Sequence, residues 1–194
     1  ETYLQETWPS CDNGGMDNYV ITDAVNAALL STGGISLNGI DVSDFTGLED
    51  FTELNMIQIV NSMVQSIDLS MMNANNVNVI NGYWSDWYNG VRVYIGDCPL
   101  LKDIIMPQGN LAGVTVQGNL YSIETILFQS SNYFTASVKI DTYSSAAGIE
   151  LIDLSGTSGY QLSSVVLIID IKRGCILLNN GECINLLGVM YFIL

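Results

Sequence analysis

Along most of this chain, apolar residues recur in a two-part pattern. An apolar-x-apolar pair is followed, about half a repeat later, by an apolar trio spaced like L-x-x-I-x-L. Ile57-x-Ile59 precedes Val64-x-x-Ile67-x-Leu69, and Val93-x-Ile95 precedes Leu101-x-x-Ile104-x-Met106. Val114-x-Val116 precedes Ile123-x-x-Ile126-x-Phe128, and Val138-x-Ile140 precedes Ile149-x-x-Ile152-x-Leu154. Alternation of this kind marks a strand with one buried face. A unit this small cannot bury its apolar residues alone and has to stack on its neighbours. The pattern therefore predicts a mainly β solenoid of parallel strands.

Ile35-x-Leu37 opens the array. The step from Leu37 to Ile59 is 22 residues, from Ile95 to Val116 is 21, and from Val116 to Ile140 is 24. Val77-Asn78-Val79, 20 residues beyond Ile59, reads as another strand, although only 16 residues then separate Val79 from Ile95. Gly82, Gly96, Gly118, Asn61 and Asn81 fall just past the expected strands, where a solenoid turns sharply. Residues 1–21 are polar and read as an irregular arm. Residues 22–34 predict a capping helix, with Thr22 as N-cap, Asp23 at the positive end, and Val25, Ala28 and Leu29 on the apolar face. Gly33-Gly34 stops it. The solenoid occupies 35–160. Residues 161–194 form a C-terminal β cap, with a buried strand at Val165–Ile169 and a hairpin at Asn180-Gly181. The whole reads as one continuous domain.

Composition narrows the chemistry. Twenty acidic residues oppose five basic ones (Arg92, Lys102, Lys139, Lys172 and Arg173), a net charge of −15, and no basic residue occurs before Arg92. Binding to phosphate backbones or anionic headgroups needs Lys and Arg, so neither nucleic acid nor an acidic membrane is an expected partner. Histidine is absent, which removes His-based catalysis and His-containing metal sites. No metal or other cofactor is expected. Cys11, Cys98, Cys175 and Cys183 form no C-x-x-C pair. Cys175 and Cys183 flank Asn179-Asn180-Gly181 and are candidates for a local disulfide, with free buried thiols as the competing state. Cys11 and Cys98 are either single buried residues or a second bridge. The apolar end, Leu186–Leu194, is too short to span a bilayer and reads as a closing strand or one completed by a partner. A start at Glu1, without Met, fits a processed secreted protein or a trimmed chain.

Four stretches carry a family resemblance: 21–31 (ITDAVNAALLS), 40–43 (IDVS), 45–54 (FTGLEDFTEL) and 65–70 (QSIDLS). They resemble, in order, the capping helix, the segment leading into the array and the repeat of leucine-rich-repeat proteins common on Bacteroidetes cell surfaces. The likeness is good over about 20–72 and is one of pattern as far as about 157, where 151–155 (LIDLS) repeats the motif. It implies a leucine-rich-repeat-like solenoid, a secreted or cell-surface location, and binding of protein or glycan, with no catalytic residues. Thr32-Gly33-Gly34 stands where many relatives carry an Asn/Asp/Gly-rich insert resembling a calcium loop, so that metal site is not expected.

Residues between the apolar positions of a repeat strand share one outward face. Those slots hold Gln58, Asn78, Tyr94, Thr115 and Lys139, with Arg92, Gln117 and Asp141 adjacent. Arg92, Tyr94 and Lys139 are the binding candidates there. Trp84, Trp87 and Tyr88, in the aromatic run 83–88, are either an exposed contact platform or bulky core filling the irregular repeat. Asp68 and Asp153 are expected to point outward from the second trio, and no pair of carboxylates suggests an active site. The sequence thus points to a non-enzymatic interaction module, an accessory subunit of a cell-surface assembly. The alternatives are a carbohydrate-active parallel β-helix of lyase or tailspike type, or a viral or filament structural protein.

Overall fold

A computed structural model describes residues 2–12, 14, 20–42, 44–74, 90–129, 133–134, 138–141, 151–153, 165–177 and 183–193. The fold is a parallel β solenoid built from two ladders. The first stacks β1 (Gly34–Asn38), β2 (Met56–Val60), β4 (Val91–Gly96), β6 (Asn110–Gln117) and β9 (Val138–Asp141). The second stacks β3 (Ser66–Asp68), β5 (Asp103–Ile105), β7 (Thr125–Leu127) and β10 (Leu151–Asp153). A two-residue strand, β8 (Tyr133–Phe134), pairs with β6.

The register is the one the apolar pattern predicts. Ile35, Ile57, Val93, Val114, Val138 and Val165 lie abreast, as do Leu37, Ile59, Ile95, Val116, Ile140 and Leu167. In the second ladder Ile67, Ile104, Ile126, Ile152 and Ile176 stack in one column. Ile104 and Ile126 are fully buried, each with an isoleucine on either side. The flanking trio positions Val64, Leu101 and Ile123, and Leu69, Met106 and Phe128, are buried as well. Burying such side chains contributes about 1.5–3 kcal/mol each.

The ladders are joined at sharp corners. Gly39, Asn61, Asp97 and Gly118 each follow a first-ladder strand and each have positive φ, from 52° to 87°. Backbone bonds continue the stack through the turn: Gly39 N–H donates to Val60 O, Asn61 N–H to Gly96 O, and Asp97 N–H to Gln117 O. Asn61 and Gly118 were expected at turns and are there. Gly96 instead ends β4, and Asp97 makes the corner; Gly82 and Asn81 lie outside the described residues.

At the far end the two ladders merge. β11 (Val165–Leu177) pairs with β9 through its first residues and with β10 through its last. A register shift between Ile171 and Gly174 bends it from one ladder to the other. β12 (Cys183–Ile193) returns antiparallel along it. The buried strand expected to end at Ile169 is therefore thirteen residues long. Among the described residues β12 pairs with β11 alone. Cys175 stands opposite Asn185 and Cys183 opposite Leu177, so the two cysteines are diagonal rather than facing; their side chains lie outside those described.

Three expectations need correction. Residues 1–21 are not wholly irregular: α1 (Thr2–Thr7) and a 3-10 turn at Pro9–Cys11 bring Leu4 and Cys11 into the core. Thr22 is not an N-cap but the first residue of α2 (Thr22–Thr32), while Ile21 holds the cap position without a side-chain bond. Gly33, at φ 72°, does end this helix. Thirdly, the ladder holds no strand between β2 and β4, which pair directly; residues 77–79 themselves lie outside the described residues. Asn73 sits beside Gln108 and Val91 beside Leu111. Three steps along one coil, from Gln108 to Leu111, therefore correspond to eighteen along its neighbour, from Asn73 to Val91.

The chain rejoins the ladder through Gly90, whose φ is 131° and where a Cβ would collide with the Asn110 carbonyl. At Gly39 a Cβ would meet nothing within 4 Å. Gly90→Ala is expected to destabilise by more than about 2 kcal/mol, combining backbone strain with the collision. Gly39→Ala should cost only about 1 kcal/mol from the left-handed conformation. Parallel thermal and urea melts of the two variants check this difference.

Candidate functional site

The outward face of the first ladder brings together residues that are far apart in sequence. Strand alternation sends Ile57, Ile59 and their counterparts inward and the intervening residues outward. Parallel pairing then sets Ser36, Gln58, Tyr94, Thr115 and Lys139 in one row across five strands. Gly34, Met56, Arg92 and Gly113 form the row to one side, and Asn38, Val60, Gly96, Gln117 and Asp141 the row to the other.

Hydrogen bonds run along this face. Gln117 Nε2 donates to Tyr94 Oη at 2.7 Å, and Lys139 Nζ donates to Gln117 Oε1 at 3.0 Å. Gln117 thus uses both ends of its amide to tie an aromatic ring to a cation. The Tyr94 ring lies over Gly96, 3.4 Å from where a Cβ would stand. A larger residue there would lift the ring from the sheet. Toward the start of the stack, Ser36 Oγ donates to Gln58 Oε1 at 3.1 Å, and Tyr3 Oη donates to Ser36 O at 2.7 Å. Tyr94, Gln117 and Lys139 are half-buried and Arg92 is exposed. Each retains surface for a partner.

Of the predicted site residues, Tyr94, Lys139 and Arg92 share this face, with Gln58, Thr115, Gln117 and Asp141 around them. Asn78 lies outside the described residues. Trp84, Trp87 and Tyr88 lie outside the described residues, but the stretch containing them starts after Ala74 and ends at Gly90, two residues before Arg92. Ser36 was overlooked, although it fills the same x slot of Ile35-x-Leu37.

On the second ladder the two aspartates of the repeat motif stand far apart. Asp68 and Asp153 lie in one row with Ile105 and Leu127 between them. Three strand spacings separate them by about 14 Å, beyond the separation that paired glycosidase carboxylates need. Asp103 accepts a hydrogen bond from the Thr125 hydroxyl, and Lys102 pairs with Glu124 at 3.5 Å, both about half exposed. Such a pair contributes little. Among the described residues no cluster of His, Cys, Asp or Glu is arranged to hold a metal.

Two polar groups are buried behind the corners. Ser62 is fully buried; its hydroxyl donates to Asp41 Oδ1 at 3.1 Å and accepts from Val64 N–H at 3.2 Å. Cys98, one coil on, is also fully buried and directs its thiol to the Gly96 carbonyl at 3.2 Å. Cys11 and Cys98 are both free thiols. Burial raises the pKa of each above the ordinary value of 9.0.

No known protein family, curated protein or solved structure matches this chain.

Ser62→Ala removes the acceptor for a buried N–H and should lower stability by about 1–3 kcal/mol in urea denaturation. Thiol behaviour gives a second expectation. With the folded pKa raised above 9.0, the contribution of Cys98 is fully present below pH 9 and is lost as pH rises beyond it. Melting temperature should therefore fall less steeply above pH 9 in Cys98→Ala than in the unaltered protein. Mass mapping after an alkylating pulse should find Cys11 and Cys98 unlabelled at neutral pH until the chain unfolds.

Proposed function

We propose that this chain is a non-enzymatic interaction module, secreted or displayed at a cell surface, that binds a protein or glycan through the outward face of its first ladder. One observation carries the reading: Arg92 and Tyr94 of β4 and Lys139 of β9 share a single face, with the Gln117 amide of the intervening β6 between Tyr94 and Lys139. Two of five basic residues in a chain of net charge −15 fall there. Tyr and Arg are the residue types that dominate binding energy at interfaces, and stacked aromatic and amide groups suit sugars equally well. The aromatic run 83–88 ends near Arg92 in sequence and would extend the contact. β12, eleven residues without a charged side chain, adds an apolar strand on which an accessory subunit docks. The resemblance to leucine-rich-repeat proteins of Bacteroidetes cell surfaces agrees with this role.

Two parallel ladders also suit a carbohydrate-active β-helix. The wide separation of Asp68 and Asp153 speaks against that alternative; the absence of histidine does not exclude it, since such enzymes can work with carboxylates and tyrosine.

Purification of the complex from the native source, with a glycan array in parallel, tests the proposal. A stable protein partner or a glycan hit is expected. Arg92→Ala and Tyr94→Ala should each weaken that binding about tenfold or more, with melting temperature little changed. Release of reducing ends from a polysaccharide panel would overturn the non-enzymatic reading, and unchanged affinity in both variants would remove this face from it.

A further inference from the structure

The end of the stack that starts at β1 contains a cavity of about 420 Å³. Its floor is apolar. Ile35 and Leu37 of β1, Ile57 of β2, and Phe45 and Phe51 from the segment between these strands all line it, each no more than 7% exposed. α1 supplies a wall through Tyr3 and Leu4. The volume lies within the range of small-molecule sites.

The charged groups of the lining are Asp44, Glu49 and Asp50, three carboxylates beside the apolar floor, and Thr22 and Thr46 add hydroxyls. Asp44 and Asp50 are exposed and Glu49 is half-buried, which puts the acids on the solvent side. No Lys or Arg lines the cavity. Asp44 Oδ1 accepts the Thr46 N–H at 2.9 Å, and Glu49 Oε2 accepts the Gly47 N–H at 2.7 Å. Those bonds fix the carboxylates in place. A carboxylate has about four acceptor positions, so capacity for a further donor remains. The bonds from Thr46 also hold the Asp44 carboxyl below its ordinary range, so it stays charged at neutral pH.

We infer that this cavity is a binding site for a small organic cation: an apolar or aromatic body carrying a primary ammonium. The body lies on Leu37, Phe45 and Phe51, and the ammonium meets Asp44, Glu49 and Asp50. An anionic ligand of the same shape is repelled by those three charges, and a neutral one gains only the apolar contact. The site is separate from the outward face of the first ladder and does not depend on the role proposed for that face.

The test is isothermal titration of the full chain with three ligands of closely similar shape: 2-phenylethylammonium, 2-phenylethanol and phenylacetate. The ammonium should bind about fivefold tighter than the alcohol, a ratio typical of exposed charge pairing, and phenylacetate weakest of all. Added salt should erode the ammonium's advantage. Glu49→Gln combined with Asp50→Asn should bring the ammonium close to the affinity of the alcohol while leaving the alcohol unchanged. Val42→Trp, which places an indole in the lining, should abolish binding of both. Equal affinity for ammonium and alcohol in the unaltered protein overturns the inference, as does the absence of saturable binding at millimolar concentration. Should Val42→Trp fail to fold, the order of the three ligands on the unaltered chain decides the matter alone.

Discussion

Three of the coils of this protein advance only 21, 22 and 24 residues, and a unit of that size has too little apolar surface to close on itself. Ile104 is buried because Ile67 lies on one side and Ile126 on the other, and the same holds along the column to Ile176. Stability therefore resides mainly at the boundaries between coils, as expected of a one-dimensional stack. That constraint explains the ends as well. Both expose a coil with one neighbour missing, and both are covered by something different. At the start α1, the turn at Pro9–Cys11 and α2 pack over the first coil, contributing Leu4, Cys11, Val25 and Leu29 to the core. At the finish β11 and β12 continue the hydrogen bonding of both ladders at once.

The same arithmetic sets the polar face. Residues some twenty positions apart become neighbours because parallel strands in register convert a sequence repeat into a lateral one. Gln117 reaches Tyr94 and Lys139, one strand away on either side, only because the inward columns hold all three strands level. A slip of one residue would turn these groups into the core and bring Val93 and Val114 out. The ordered polar face is thus a by-product of the register that the apolar residues impose.

Much of this was legible in the residues themselves. The apolar pairs at Ile57, Val93, Val114 and Val138, and the trio isoleucines at 67, 104, 126 and 152, marked both ladders before any coordinates. So did the row that holds Tyr94 and Lys139. Other features were hidden for physical reasons. Val77-Asn78-Val79 has the local alternation of a ladder strand and suggested one between β2 and β4, but neighbours in a ladder are set by pairing across the sequence, and β4 pairs directly with β2. α1 spans barely two turns, too short for a helical period to stand out from a polar arm. In β11 the charges of Asp170, Lys172 and Arg173 looked like the end of a strand. Backbone pairing with β12 runs past them through the register shift. The hydrogen-bonded chain from Tyr94 to Lys139 depends on side-chain reach across strands, which spacing along one strand does not report.

The eighteen-residue passage between Asn73 and Val91 has a counterpart only three residues long. Closing the longer path adds about 1.6 kcal/mol of chain entropy, small beside what one stacked coil buries. The corner at Gly90 can therefore accept new sequence at little thermodynamic cost, because the ladder closes across the gap without it. In evolutionary terms the molecule separates two jobs. The inward columns are held to shape and volume, while the length of chain between two paired positions can grow without disturbing the register on either side.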